Sequence, residues 1–187
     1  MAKIGLKNFK YSPLDENENV TTAKSLGKAV SCKVSIDKNE AYLYADDGVA
    51  ESDFSFKKGT ITLEVDEDAD TTFAELLGHT IGAGTGSTAG ELIRNANDTA
   101  PFVAVGRILT KKVAGAYAYK VEFLSKVQFK EPDADETTKG ESVEFKTSSI
   151  EGVVLQKANG EWSKAKTFDT YAEAETYLNG LLTAKAS

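Results

Sequence analysis

From Tyr117 to Phe129 the chain sustains one alternation: Tyr117, Tyr119, Val121, Phe123, Val127 and Phe129 at odd positions, Lys120, Glu122, Lys126 and Gln128 at even ones. A period of two is that of a strand with one face on a core and one in water, and it does not suit a helix. Unbroken, such a strand runs ~43 Å at about 3.3 Å per residue, well beyond the usual strand. It needs neighbours of similar length. The chain must therefore build a large antiparallel sheet.

Other segments supply those neighbours. Strands are predicted within Ile4–Tyr11, over Lys28–Ile36, over Ile61, Leu63 and Val65, over Phe102–Leu109, around Val143 and Phe145, and over Val153–Leu155. A polar loop through Asp15–Asn19 follows the first. Cys32 shares period-two positions with Val30, Val34 and Ile36 and reads as a buried strand thiol. The stretch from Ala41 to Asp66 reads as strand, acidic turn, polar loop, strand, with Tyr42 and Tyr44 before the turn and Phe54 and Phe56 after it. Its loop is longer than a hairpin needs, which points to contact rather than mere connection. Thr72 with Glu75 predicts a capping box opening a short helix, and Gly78 or Gly82 its end. Thr88 with Glu91 predicts a further capped turn before Leu92 and Ile93. Asn159-Gly160 marks a turn, and a Lys-containing connector leads to a last helix. That helix is capped by Thr170 and Glu173, with Tyr171, Ala174, Leu178, Leu181 and Leu182 as its apolar stripe. The expected class is mainly β, antiparallel and sandwich- or barrel-like, with one short flanking helix and one C-terminal helix. The expected division is residues 1–156 as the β domain and 157–187 as an extension.

Charge and composition narrow the functions. The net −7 comes from Asp37–Asp70, where eleven carboxylates face three lysines for a local −8, the rest of the chain carrying +1. A groove that grips nucleic acid by neutralising phosphates needs the opposite sign. No apolar run spans a bilayer. The opening MAKIGLKNFKY has lysines but neither a hydrophobic core nor a small-residue cleavage site, so it does not read as a secretory signal. One cysteine excludes an internal disulfide.

Catalytic motifs are not found. GAGTGSTAG at Gly82–Gly90 lacks the Gly-Lys-Ser/Thr ending of a phosphate loop, since Glu91 follows it, and it lacks a preceding strand. His79, the only histidine, has no nucleophile elbow to serve and reads as a cation or core residue at a helix end. Glu64, Asp66 and Glu122 offer carboxylate pairs, but a sugar cleft wants aromatic platforms and Trp162 is the only tryptophan. Asp66, Glu67, Asp68 and Asp70 lack a calcium-loop pattern and precede a helix, where acids are favourable anyway. The expectation is a protein that is not an enzyme and has no cofactor or metal.

Several stretches, in order, resemble the major tail protein (tail tube protein) family of long-tailed bacteriophages of Gram-positive hosts. They are IGLKNFKY, GKAVSCKVSIDKN, YLYADDGVAESDFSFKKGTITLEVD, FAELLGH, APFVAVGRI, YAYKVEFLSKVQFKEP and TTKGESVEFKTSSIEGVVL. The resemblance covers about residues 3 to 156. It implies the phage tail tube fold and a structural virion protein whose six-membered rings stack into the tube that delivers the genome. The implied partners are further copies of itself and other tail proteins such as tape measure, terminator and distal tail protein. DNA is met only in transit and no membrane is involved. The implied location is the virion tail, after synthesis in the host cytoplasm.

On that reading, Tyr42, Tyr44, Asp46, Asp47, Phe54 and Phe56 are the candidates for a subunit interface. Glu64, Asp66, Glu122 and Glu144 are the candidates for a lumen that repels DNA, although Lys120, Lys126 and Lys130 give the long strand a mostly basic polar face. Two alternatives stay open: the tube of a contractile injection or secretion system, and a free-standing carbohydrate-binding or adhesive β-sandwich.

Overall fold

The computed structural model describes residues 2–45, 48–66, 70–83, 89–113, 115–133 and 147–184. Among these the chain is mainly antiparallel β with two helices. A main sheet is built from β1 (Ala2–Pro13), β2 (Lys24–Ser25), β3 (Ala29–Lys38), β6 (Phe56–Val65), β9 (Phe102–Val113), β10 (Ala116–Phe129), β11 (Ser148–Leu155) and β12 (Ser163–Phe168). Its order is β2-β1-β9-β10-β11-β6-β3, with β12 also paired to β10, and every pairing is antiparallel. Two hairpins form separate two-stranded sheets: β4 (Ala41–Ala45) with β5 (Gly48–Asp53), and β7 (Thr80–Ala83) with β8 (Ala89–Ile93). The helices are α1 (Asp70–Leu77) and α2 (Tyr171–Leu182).

The sheet curls on itself. β1 lies near one end of the strand order and β3 at the other, yet Phe9 and Tyr11 of β1 share one core with Cys32 and Val34 of β3. Ile61, Leu63 and Val65 of β6, Val103 and Val105 of β9, and Ile150 and Val154 of β11 complete it, and α1 adds Phe73, Leu76 and Leu77. A second core lies on the other face, where Ala174, Leu178 and Leu182 of α2 cover Ala104, Ile108, Val121 and Phe123.

The long strand is real but serves both cores. Tyr119, Val121 and Phe123 face α2, whereas Leu124, Val127 and Phe129 face the α1 core. The register against β9 slips between Leu124 and Val127. That bulge turns the odd positions from one face to the other, so a single alternation in sequence becomes two faces in space. β11 and β12 lie end to end along the same side of β10, pairing with Lys126–Phe129 and Tyr119–Leu124 respectively. The detour between them meets the bulge, where the Ser125 amide donates to the Trp162 carbonyl at 2.9 Å. The boundary expected at residue 156 falls between these two strands, and residues 157–184 fold onto the same sheet.

Several local expectations are corrected. The polar loop expected between Tyr44 and Phe54 contains β5, paired to β4. The turn expected before Leu92 is the strand β8, its expected cap Thr88 lying outside the described residues, and the connector before the last helix is β12. Thr72 lies inside α1, which starts at Asp70, so it is not the cap. Glu75 instead accepts from the Tyr11 hydroxyl at 2.6 Å. Cys32 is only half-buried, and Val30 is 48% exposed because the register of β3 on β6 slips between Ala29 and Ser31.

Two other expectations hold. Gly78 follows α1 at φ +78°, the left-handed stop that glycine provides. Thr170 caps α2, its hydroxyl accepting from the Glu173 amide at 3.3 Å. The strand expected around Val143 and Phe145 lies outside the described residues.

Candidate assembly surface

β3 and β6 are antiparallel neighbours, and the β4–β5 hairpin continues that pair beyond the sheet as an arm. Its root is closed by the Asn39 amide donating to the Ser55 carbonyl at 2.8 Å and by Asn39 Nδ2 donating to Ser55 Oγ at 3.3 Å. Past that point β4 and β5 pair only with each other among the described strands. The side chains of Ala41, Tyr42, Glu51, Ser52 and Asp53 are all exposed.

The aromatics divide between root and arm. Phe56, the first residue of β6, is half-buried and stacks on Trp162 with centroids 4.9 Å apart and planes 12° apart. Trp162 itself packs on the α1 core, so this stack ties the root to the body of the same chain. Tyr42 and Phe54 meet edge to face at 5.8 Å and 83°, yet they remain 46% and 50% exposed. They hold each other and leave about half of each residue in water. Tyr44 belongs to β4, while Asp46 and Asp47 lie outside the described residues.

The four acidic candidates are dispersed. Glu64 alternates with the buried Leu63 and Val65 and so points away from the α1 core, half-buried opposite Ser31 and Ser149. Asp66 closes the end of the β3–β6 pair. It accepts from the Lys28 amide at 2.9 Å, its own amide returns to the Lys28 carbonyl at 3.1 Å, and its carboxylate lies 3.2 Å from the Lys28 ammonium. The Lys28 amide bond above all holds this carboxyl below its usual range.

Glu122 sits on the core-side face, the face of Leu124, in register with Arg107. It is ion-paired to Arg107, which is only 7% exposed, and to Lys120 at 2.6 Å. Burial raises the Glu122 carboxyl, but the Lys120 hydrogen bond and the Arg107 charge outweigh it and leave it below the ordinary range. Its negative charge is thus already matched. Glu144 lies outside the described residues. Glu64 and Glu122 stand on opposite faces of the sheet, so no shared acidic surface joins them within one chain.

Sequence reasoning missed Arg107, which looks like any polar residue between two apolar ones, and Trp162 as a partner for Phe56. It also missed what surrounds His79. That ring lies 2.8 Å from both Asp98 and Glu131, residues too distant in sequence for any spacing rule to join. No protein-family model matches the chain, and no curated protein matches it.

Proposed function

We propose that this chain is a structural virion protein that polymerises as stacked hexameric rings into a phage tail tube, the conduit for genome delivery. The observation that carries the reading is the arm: a two-stranded extension of the main sheet, bearing an exposed Tyr42–Phe54 pair and anchored at its root by the Phe56–Trp162 stack. Large aromatics paired at an exposed surface form the kind of patch that a partner covers, because they offer much apolar area to bury. The curled antiparallel sheet supports the reading too, since β3 and β12 each have one side without a partner among the described strands. Such edges invite pairing with another chain.

Negative-stain electron microscopy of the purified protein across a concentration series tests the proposal. Hollow tubes or six-fold rings are expected. A strictly monomeric field at every concentration, together with glycan binding by the monomer, would replace it with the adhesive β-sandwich.

A further inference from the structure

His79 is the only histidine of the chain, and both of its ring nitrogens are engaged. Nδ1 lies 2.8 Å from Asp98 Oδ2 and Nε2 lies 2.8 Å from Glu131 Oε2, with the side chain 8% exposed. An ionised carboxylate only accepts, and a neutral imidazole carries one N–H. The two contacts can therefore be hydrogen bonds together only when the ring is an imidazolium. A neutral ring keeps one and turns a lone pair toward the other carboxylate.

The cluster occupies a mechanical position. His79 immediately precedes β7 and Arg94 immediately follows β8, so these two residues are the feet of the β7–β8 hairpin. That hairpin pairs with no other described strand. Glu131, just past the end of β10, grips both feet: Oε2 on His79 and Oε1 at 3.2 Å from Arg94 Nε. Asp98 has a second hold, accepting from the Asn95 amide at 2.8 Å.

We propose that His79, Asp98 and Glu131 form a pH-responsive pin that ties the His79 foot of the β7–β8 hairpin to the end of β10 when the imidazole is protonated and frees that foot when the ring is neutral, the Arg94 foot staying on Glu131. Among the described residues, the charged groups at the ring are Asp98 from the turn before β9 and Glu131 from just past the end of β10. Arg94 reaches Glu131 rather than the ring. Glu75, on α1, is turned to Tyr11 and Lys24, and Lys130 is paired with Glu151. When the proton leaves, Asp98 keeps its Asn95 bond, and the ring lets go of Glu131.

The direction of the switch follows from the hydrogen bonds. Those to Asp98 and Glu131 hold the imidazole above its ordinary value of 6.5. A raised value means that the stabilisation is fully present below 6.5 and is lost as pH rises through the folded value. The pin opens on alkalinisation.

NMR titration of the full, untagged chain from about pH 5 to about pH 9 tests this, because a single histidine makes the imidazole signal unambiguous. The expected result is a midpoint above 6.5, with the amides of 80–83 and 89–93 following the same curve. Glu131→Gln is expected to lower the midpoint and to abolish the pH response of those amides. A midpoint at or below 6.5, or hairpin amides that stay flat while the imidazole titrates, overturns the proposal. The wild-type titration alone decides it if the variant does not fold.

Discussion

At the scale of residues, the Arg107–Glu122–Lys120 group shows how a charge enters a core. Arg107 alternates with Val105 and Leu109 on β9 and so must face inward, where only a carboxylate offsets the loss of water. Removing the guanidinium leaves Glu122 with Lys120 and limited solvent. Arg107→Ala is expected to cost about 2–3 kcal/mol, below the cost of breaking a fully buried pair because Lys120 remains. Urea unfolding at neutral pH measures it. The Glu122 carboxyl is depressed on folding, so its contribution is present above its ordinary value of 4.5 and lost as pH falls through the folded one. The gap between wild type and Arg107→Ala should narrow on acidification, and a gap constant with pH would assign the cost to lost packing instead.

At the scale of elements, α2 separates local from tertiary stabilisation. Its cap and stripe start and orient it, but the docking depends on Gly106 of β9, where a Cβ would lie 2.3 Å from Leu178 Cδ1. The missing side chain lets Leu178 reach the sheet. Leu178→Ala is expected to destabilise by about 3 kcal/mol through the cavity left against β9. Gly180, with nothing within 4 Å of its would-be Cβ, is expected to gain up to about 1 kcal/mol on Gly180→Ala through backbone entropy alone. Opposite shifts of the urea midpoint check both. β12 explains why some elements escaped a reading of the sequence. SKAKTF is an edge strand held mainly by backbone bonds to β10. It carries no apolar alternation because nothing covers most of its side chains.

At the scale of the molecule, the arm should be separable from the fold. Tyr42 and Phe54 touch each other in water, while Phe56 and Trp162 secure the root. The double variant Tyr42→Ser, Phe54→Ser is expected to unfold within about 1 kcal/mol of wild type, as surface changes do. Under the tube proposal it should also lose assembly under conditions where wild type forms tubes. Tubes that form unchanged from the variant would remove this pair from the interface. Glu131→Gln should leave assembly through the arm in place, so the hairpin pin and the arm can fail independently.

What could be read from the chain alone is what short-range physics governs: the antiparallel β class from a period of two, the stop of α1 at Gly78, the cap and inner face of α2, and the turn at Asn159-Gly160. Each rests on residues a few positions apart, whose interactions survive any tertiary arrangement. Which core each half of β10 serves had to come from the folded molecule, because Leu124 and Ser125 interrupt the alternation at the bulge without saying what packs on either face. The same holds for the joining of 163–168 to the sheet, the stacking of Phe56 on Trp162 and the meeting of His79 with Glu131. Those pairings form between segments brought together by closure of the sheet, and packing, not spacing, selects them.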